Sequence, residues 1–145
     1  MSGMSHWQDH GPPDGTQGAK DMTGGEGSRF CMVYVTVPSE DHARTIVKAL
    51  LDKRLIACAN VIPMRSFYNW EGQEREDDEL VLLLKTRSEL YDRVEAEVRS
   101  LHPYKVPCIL MYEVGKGFAP YMEWIDEETR GKGAAKGKTK GGGKN

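Results

Sequence analysis

Cysteine is scarce in this chain, at three of 145 residues: Cys31, Cys58 and Cys108. They are odd in number, far apart and set in apolar sequence with no C-x-x-C pair, which argues against a disulfide framework or a zinc knuckle. Three reduced thiols acting as small hydrophobes are expected. Nor does any stretch approach the roughly 20 apolar residues of a membrane span. The first 28 residues have neither the cationic start and apolar middle of a secretory signal nor the Arg-rich, acid-poor character of a transit peptide. A cytoplasmic protein is expected. Catalytic signatures are missing as well: no H-E-x-x-H, no nucleophile elbow, no Ser-His-Asp order and no paired acids beside an apolar pocket signature. An enzyme is not expected.

The charge that is present is unevenly spread. The net figure of −2 conceals an acidic N-terminal arm, residues 1–28, with one lysine against four acids, and a C-terminal tail, residues 131–145, with five lysines among six glycines. Neither end carries an apolar run that would offset the entropy of ordering, so both are expected to be disordered. Between them, residues 29–130 hold 14 Lys and Arg against 18 Asp and Glu. An acidic core argues against specific nucleic-acid binding, which needs a basic face, although the tail could touch polyanions weakly.

The elements can be read from periodicity. Arg29–Val37 is a β-branched and aromatic run that stops at Pro38. Ser39 is placed to cap a helix in which Ala43, Ile46, Val47, Leu50 and Leu51 recur at helical spacing. Leu55–Ile62 and Ser66–Trp70 read as one long strand with a break or bulge at Pro63, followed by a Glu71-Gly72 turn. The acidic stretch Gln73–Glu79 reads as a solvated hairpin leading into a strand at Leu80–Thr86. Ser88-Glu89 repeats the helix opening, with Leu90, Val94, Val98 and Leu101 on one face until Pro103. Val106–Val114 is a fourth strand. A last helix places Tyr121, Trp124 and Ile125 on one side and Glu123, Asp126, Glu127 and Glu128 on the other.

Strand, helix, strand occurs twice, which predicts an α+β fold: a ferredoxin-like βαββαβ sandwich with a short C-terminal helix. The first and third strands, apolar on both parities, belong in the centre, and the proline-bearing second and fourth at the edges. Both edges read as long and apolar, with Phe67, Tyr68 and Trp70 on one and Ile109, Met111 and Tyr112 on the other. Edge pairing between subunits is expected to cover them.

Four strings then stand at compatible spacing: residues 57–63 (ACANVIP), 68–72 (YNWEG), 84–87 (LKTR) and 102–107 (HPYKVP). Together they resemble the CutA divalent-cation-tolerance family over about Phe30–Thr129. The resemblance implies a ferredoxin-like homotrimer, similar in build to the PII signalling proteins and without catalytic activity. It implies a part in binding and tolerance of copper and other divalent ions, and, for animal members, in anchoring or maturation of acetylcholinesterase. Copper-binding members are expected to use a first-strand cysteine and a His-His pair before Pro-Tyr. Here Val35 and Leu101 occupy the matching places, and His102 alone remains as a metal ligand. Met64 stands where the family usually has Gly, and Lys105 and Cys108 where Glu is common, which removes hard-cation ligands.

Two binding readings follow. For copper, soft donors are available as thiols, His42, His102 and seven methionines, though at no diagnostic spacing. His6 and His10 sit four apart, but no helix is expected there to hold them. His102 would equally serve as the cap of its helix. For a small anionic metabolite, Lys85 and Arg87 leave the end of the central third strand, and with Tyr68, Trp70, Tyr104 and Trp124 they are expected to line an intersubunit cleft. Structural pairing of Lys85 with Glu71 or Glu79 is the alternative use of that lysine. Trp70 and Trp124 would also suit a protein-partner or scaffold surface.

Overall fold

Alternating small and β-branched residues at the start of the folded region commit it to a strand that is buried on one side. In the computed structural model, which describes residues 27–131, β1 runs Phe30–Val37, and Cys31, Val33, Val35 and Val37 are all buried. Helix α1 follows at Glu40–Asp52; the Ser39 hydroxyl accepts from the His42 N–H, and Glu40 and Asp41 occupy the positive first turn. The helix ends on Arg54, whose positive φ of 56° lets Leu55 N–H return to the Leu50 carbonyl at 2.9 Å. Strands β2 (Cys58–Trp70) and β3 (Gln73–Arg87) form a long hairpin. Its two-residue turn, Glu71-Gly72, has positive φ at both positions, matching the twist of the ribbon. A 3-10 turn at Ser88–Leu90 leads into α2 (Tyr91–Leu101); β4 (Ile109–Glu113) and α3 (Ala119–Glu128) complete the fold.

The sheet order is β2-β3-β1-β4 with every pairing antiparallel, so β1 and β3 are central as expected and the fold is ferredoxin-like. Helices α1 and α2 cover the face that carries Val33, Val35, Leu82 and Leu84, through Ala43, Ile46, Leu50, Val94 and Val98. Leu51, expected on the buried face of α1, is exposed instead. Period-2 counting through the register puts Met32, Tyr34, Ile62, Met64, Leu83, Lys85, Leu110 and Tyr112 on the opposite face. Contacts agree, since the Tyr34 ring meets Tyr112 edge-on at 6.4 Å and its hydroxyl reaches Met64 Sδ at 3.8 Å.

Several boundaries differ from the sequence reading. The ladder passes through Pro63, paired with Leu80, with no bulge, because an edge strand can turn the position that lacks a donor away from its neighbour. The solvated hairpin expected at Gln73–Glu79 is regular strand, cross-strand paired with Met64–Trp70, and within it only Glu79 is buried. Ser88 caps nothing and lies beside the Cys31 thiol, so α2 enters through a tighter turn. β4 is five residues long, and Pro107 lies before it; only β2, at 13 residues, is a long edge. The exposed apolar groups on these edges are Val61, Ile62, Phe67, Leu110 and Tyr112, whereas Ile109 and Met111 pack against the core. The arm at 1–26 and the basic tail at 132–145 lie outside the described residues.

Candidate functional site

His102, the expected metal ligand, terminates α2, and both of its ring nitrogens are in use. Nε2 donates to the Thr36 carbonyl at 2.7 Å, and Nδ1 accepts from the Tyr104 N–H at 3.1 Å. The neutral Nε2–H tautomer satisfies both bonds and leaves no lone pair for a metal in this arrangement; the ring ties the end of α2 to β1 and does not bond to the helix's own last carbonyls. Burial pushes this imidazole below its ordinary 6.5, against the hydrogen bond to Thr36, which favours the charged form. The unfolded chain therefore takes up a proton near pH 6.5 that the folded chain resists. Stability from this group is complete above that pH, falls as pH drops below it, and levels off beneath the folded value. Melting between about pH 7.5 and about pH 5 is expected to show that decline, and His102→Gln to flatten it.

Near His102, whose ring lies 4.8 Å from that of Tyr104, sits a buried carboxylate that the sequence reading assigned to solvent. Glu79 is 5% exposed and accepts from the Ser66 hydroxyl at 2.7 Å and the Tyr104 hydroxyl at 3.0 Å. Burial and the Glu79 charge push the Tyr104 phenol well above its usual range. On the neighbouring rung, Tyr68 donates to Asp77 at 2.5 Å and is pushed up to about 12 by desolvation and by that bond. Burial, then Glu79, also raises the Cys108 thiol, and burial raises that of Cys31, so both are held as thiols and serve poorly as ligands or nucleophiles. All three cysteines are free.

The six residues expected to share one cleft are divided within a chain. Arg87 is buried and committed: Nε donates to Thr129 Oγ1 at 2.8 Å, Nη2 donates to the Thr129 carbonyl at 3.0 Å, and Nη1 pairs with Glu89. It clamps the end of α3 to the sheet and is not available to a ligand. Tyr68 and Tyr104 are held by Asp77 and Glu79, and Trp70 stands beside the hairpin turn, paired with Gln73. Tyr68 and Tyr104 are neighbours beside Asp77 and Glu79. Lys85 and Trp124 come together through Tyr121: the ammonium lies 3.5 Å from its hydroxyl and 5.6 Å from its ring centroid, and the Trp124 ring 5.5 Å away. Lys85 pairs with neither Glu71 nor Glu79. Asp126, expected on the outer side of α3, instead faces Arg29, Arg87 and Arg130.

Among the described residues no three His, Cys, Asp or Glu side chains converge as a metal site, and no helix is long and apolar enough to cross a membrane. A groove of about 490 Å³ opens at the start of α1, but the guanidinium on its wall, Arg65, is already tied to Glu76 and Asp78.

A four-stranded antiparallel ferredoxin-like sandwich, with a long β2–β3 ribbon and one sheet face left to a short C-terminal helix, is the class defined by this geometry. Residues 31–128 match the model of the CutA1 divalent ion tolerance protein, and the chain belongs to that family. It is 44% identical over 99 residues to the divalent-cation tolerance protein CutA of Thermus thermophilus, covering 68% of this chain and 96% of that one. Against Protein CutA of Homo sapiens the identity is 40% over 97 residues, covering 66% of this chain and 54% of the other. Among solved structures, the Archaeoglobus fulgidus protein, described as periplasmic, superposes with a TM-score of 0.68 at 39% identity, covering 70% of this chain and 99% of that one. The Oryza sativa protein does so with a TM-score of 0.69 at 33% identity, covering 72% and 96%.

Proposed function

We propose that this member of the family is a non-enzymatic, cytoplasmic homotrimer in which neighbouring copies cover one another's open sheet face, and that the assembly binds a divalent cation, copper foremost. The observation that carries the reading is the composition of that face. Ile62, Leu110 and Tyr112 are 42%, 46% and 52% exposed in the single chain, beside Met32, Tyr34, Met64 and Leu83. A contiguous apolar surface of this kind marks an interaction site, and the unpaired outer edge of β2 offers a backbone ladder next to it.

The metal part rests on donor chemistry. Met32, Met64 and Cys58 share the open face by register, so assembly would gather thioether and thiol donors, which suit copper better than hard cations. A single described chain brings no three acidic, imidazole or thiol ligands together, so a complete site would draw on more than one copy or on His6 and His10 of the arm. Calorimetric titration of the purified full chain with copper tests this. Saturable binding that survives His102→Gln and weakens in Met64→Leu is the expected result. Absence of saturable binding refutes the metal reading.

A further inference from the structure

Charges that leave bulk water need a partner, and the basic side chains of this domain obey that rule with one exception. Arg54, Arg87 and Arg130 each face a carboxylate, and the exposed Lys53 and Arg65 do so as well. Among the described Lys and Arg, Lys85 alone is withdrawn from full exposure yet has no carboxylate within 4.0 Å. Its ammonium rests against the Tyr121 ring and hydroxyl, which compensate only part of the lost hydration. Asp126, on the same helix as Tyr121, is shared by Arg29, Arg87 and Arg130. Across the strand pair, on the same face, stands Cys58, whose side chain also meets the Tyr121 hydroxyl. The Trp124 ring extends the wall, tilted 32° to Tyr121.

We propose that Lys85 and the Tyr121 hydroxyl, backed by the Tyr121–Trp124 aromatic wall, form a binding site for a small molecule bearing a phosphate or carboxylate group. The ammonium supplies a point charge and up to three donors. The phenol, which burial and the Cys58 contact push above its ordinary range, supplies a directed O–H donor. Lys85, Tyr121 and Trp124 belong to one chain and none is a metal donor in the reading above; Cys58, behind the Tyr121 hydroxyl, is the one residue the two readings share. The wall is a helix docked by Arg87, which gives that arginine a supporting part without contact.

The test is calorimetric titration of the full chain, separately, with inorganic phosphate, pyrophosphate and citrate. Saturable binding of at least one is expected, the phosphate and citrate arms deciding which acid group is recognised. Lys85→Gln should weaken it about tenfold or more, and Lys85→Arg should retain it. No saturation by any of the three in the millimolar range, or unchanged affinity in a folded Lys85→Gln, overturns the proposal. If Lys85→Gln fails to fold, acetylation of Lys85 in the unsubstituted chain, read by mass spectrometry, decides. Protection by the same anions supports the site, and unaltered labelling overturns it.

Discussion

Arg87→Ala is expected to lower the unfolding free energy by about 3–5 kcal/mol, the usual cost of breaking a buried charged network from one side. The guanidinium is held on several sides, by Thr129 Oγ1 and carbonyl, by Glu89 and by Asp126. Truncation would strand the Thr129 carbonyl and leave Asp126 to the more exposed Arg29 and Arg130. The damage should centre on α3, whose apolar attachment rests largely on Ile125, with a second tie from Arg54 Nη1 to the Glu128 carbonyl at 3.0 Å. Urea unfolding should show the lower midpoint, and hydrogen exchange should show lost protection across Ala119–Glu128. Arg87→Lys should restore little, because an ammonium cannot serve the same fork of acceptors. Unchanged stability in Arg87→Ala would mean that α3 is held by something other than this clamp.

Leu110→Glu is expected to separate the copies without unfolding them. Leu110 is 46% exposed in the single chain, so a carboxylate there remains hydrated in a monomer. Buried against a neighbouring copy, the same carboxylate would cost about 3 kcal/mol or more in each subunit, which shifts association by two or more powers of ten. Circular dichroism should report an intact sandwich while light scattering reports a smaller particle. Phe67→Glu, on the helix-side face of the β2 ribbon by register, provides a comparison. A Leu110→Glu protein of unchanged mass would place the contacts elsewhere.

Much of this fold was legible because its strongest signals are local. The unbroken apolar parity of Phe30–Val37 and Leu80–Leu84 identified the central strands, and Ser39 with its acidic first turn marked α1. The errors came where a distant partner decides the outcome. Pro63 suggested a break although β2 was read as an edge, because the sequence does not show which way that position turns within the ladder. Glu79 looked solvated because its donors, Ser66 and Tyr104, lie 13 and 25 residues away. A signal was available: Glu79 shares the parity of Val81 and Leu83, so continuing the strand backwards puts it on the sheet and not in a loop. Arg87 resembled a ligand-binding cation because Thr129, its chief acceptor, is 42 residues on. His102 entered as a ligand through the resemblance, and the Thr36 carbonyl that accepts from its ring is 66 residues back, out of reach of a local reading. Lys85 was noticed for its position at the end of a central strand, but Tyr121, which forms its immediate surroundings, was not.

The assembly through the open sheet face is the central claim, and the mass of the unsubstituted chain in solution tests it most directly. Light scattering on the purified protein is expected to give three times the 16.3 kDa of one chain across a tenfold dilution. A particle of 16.3 kDa at every concentration would contradict the claim, because the apolar face would then stand uncovered in water.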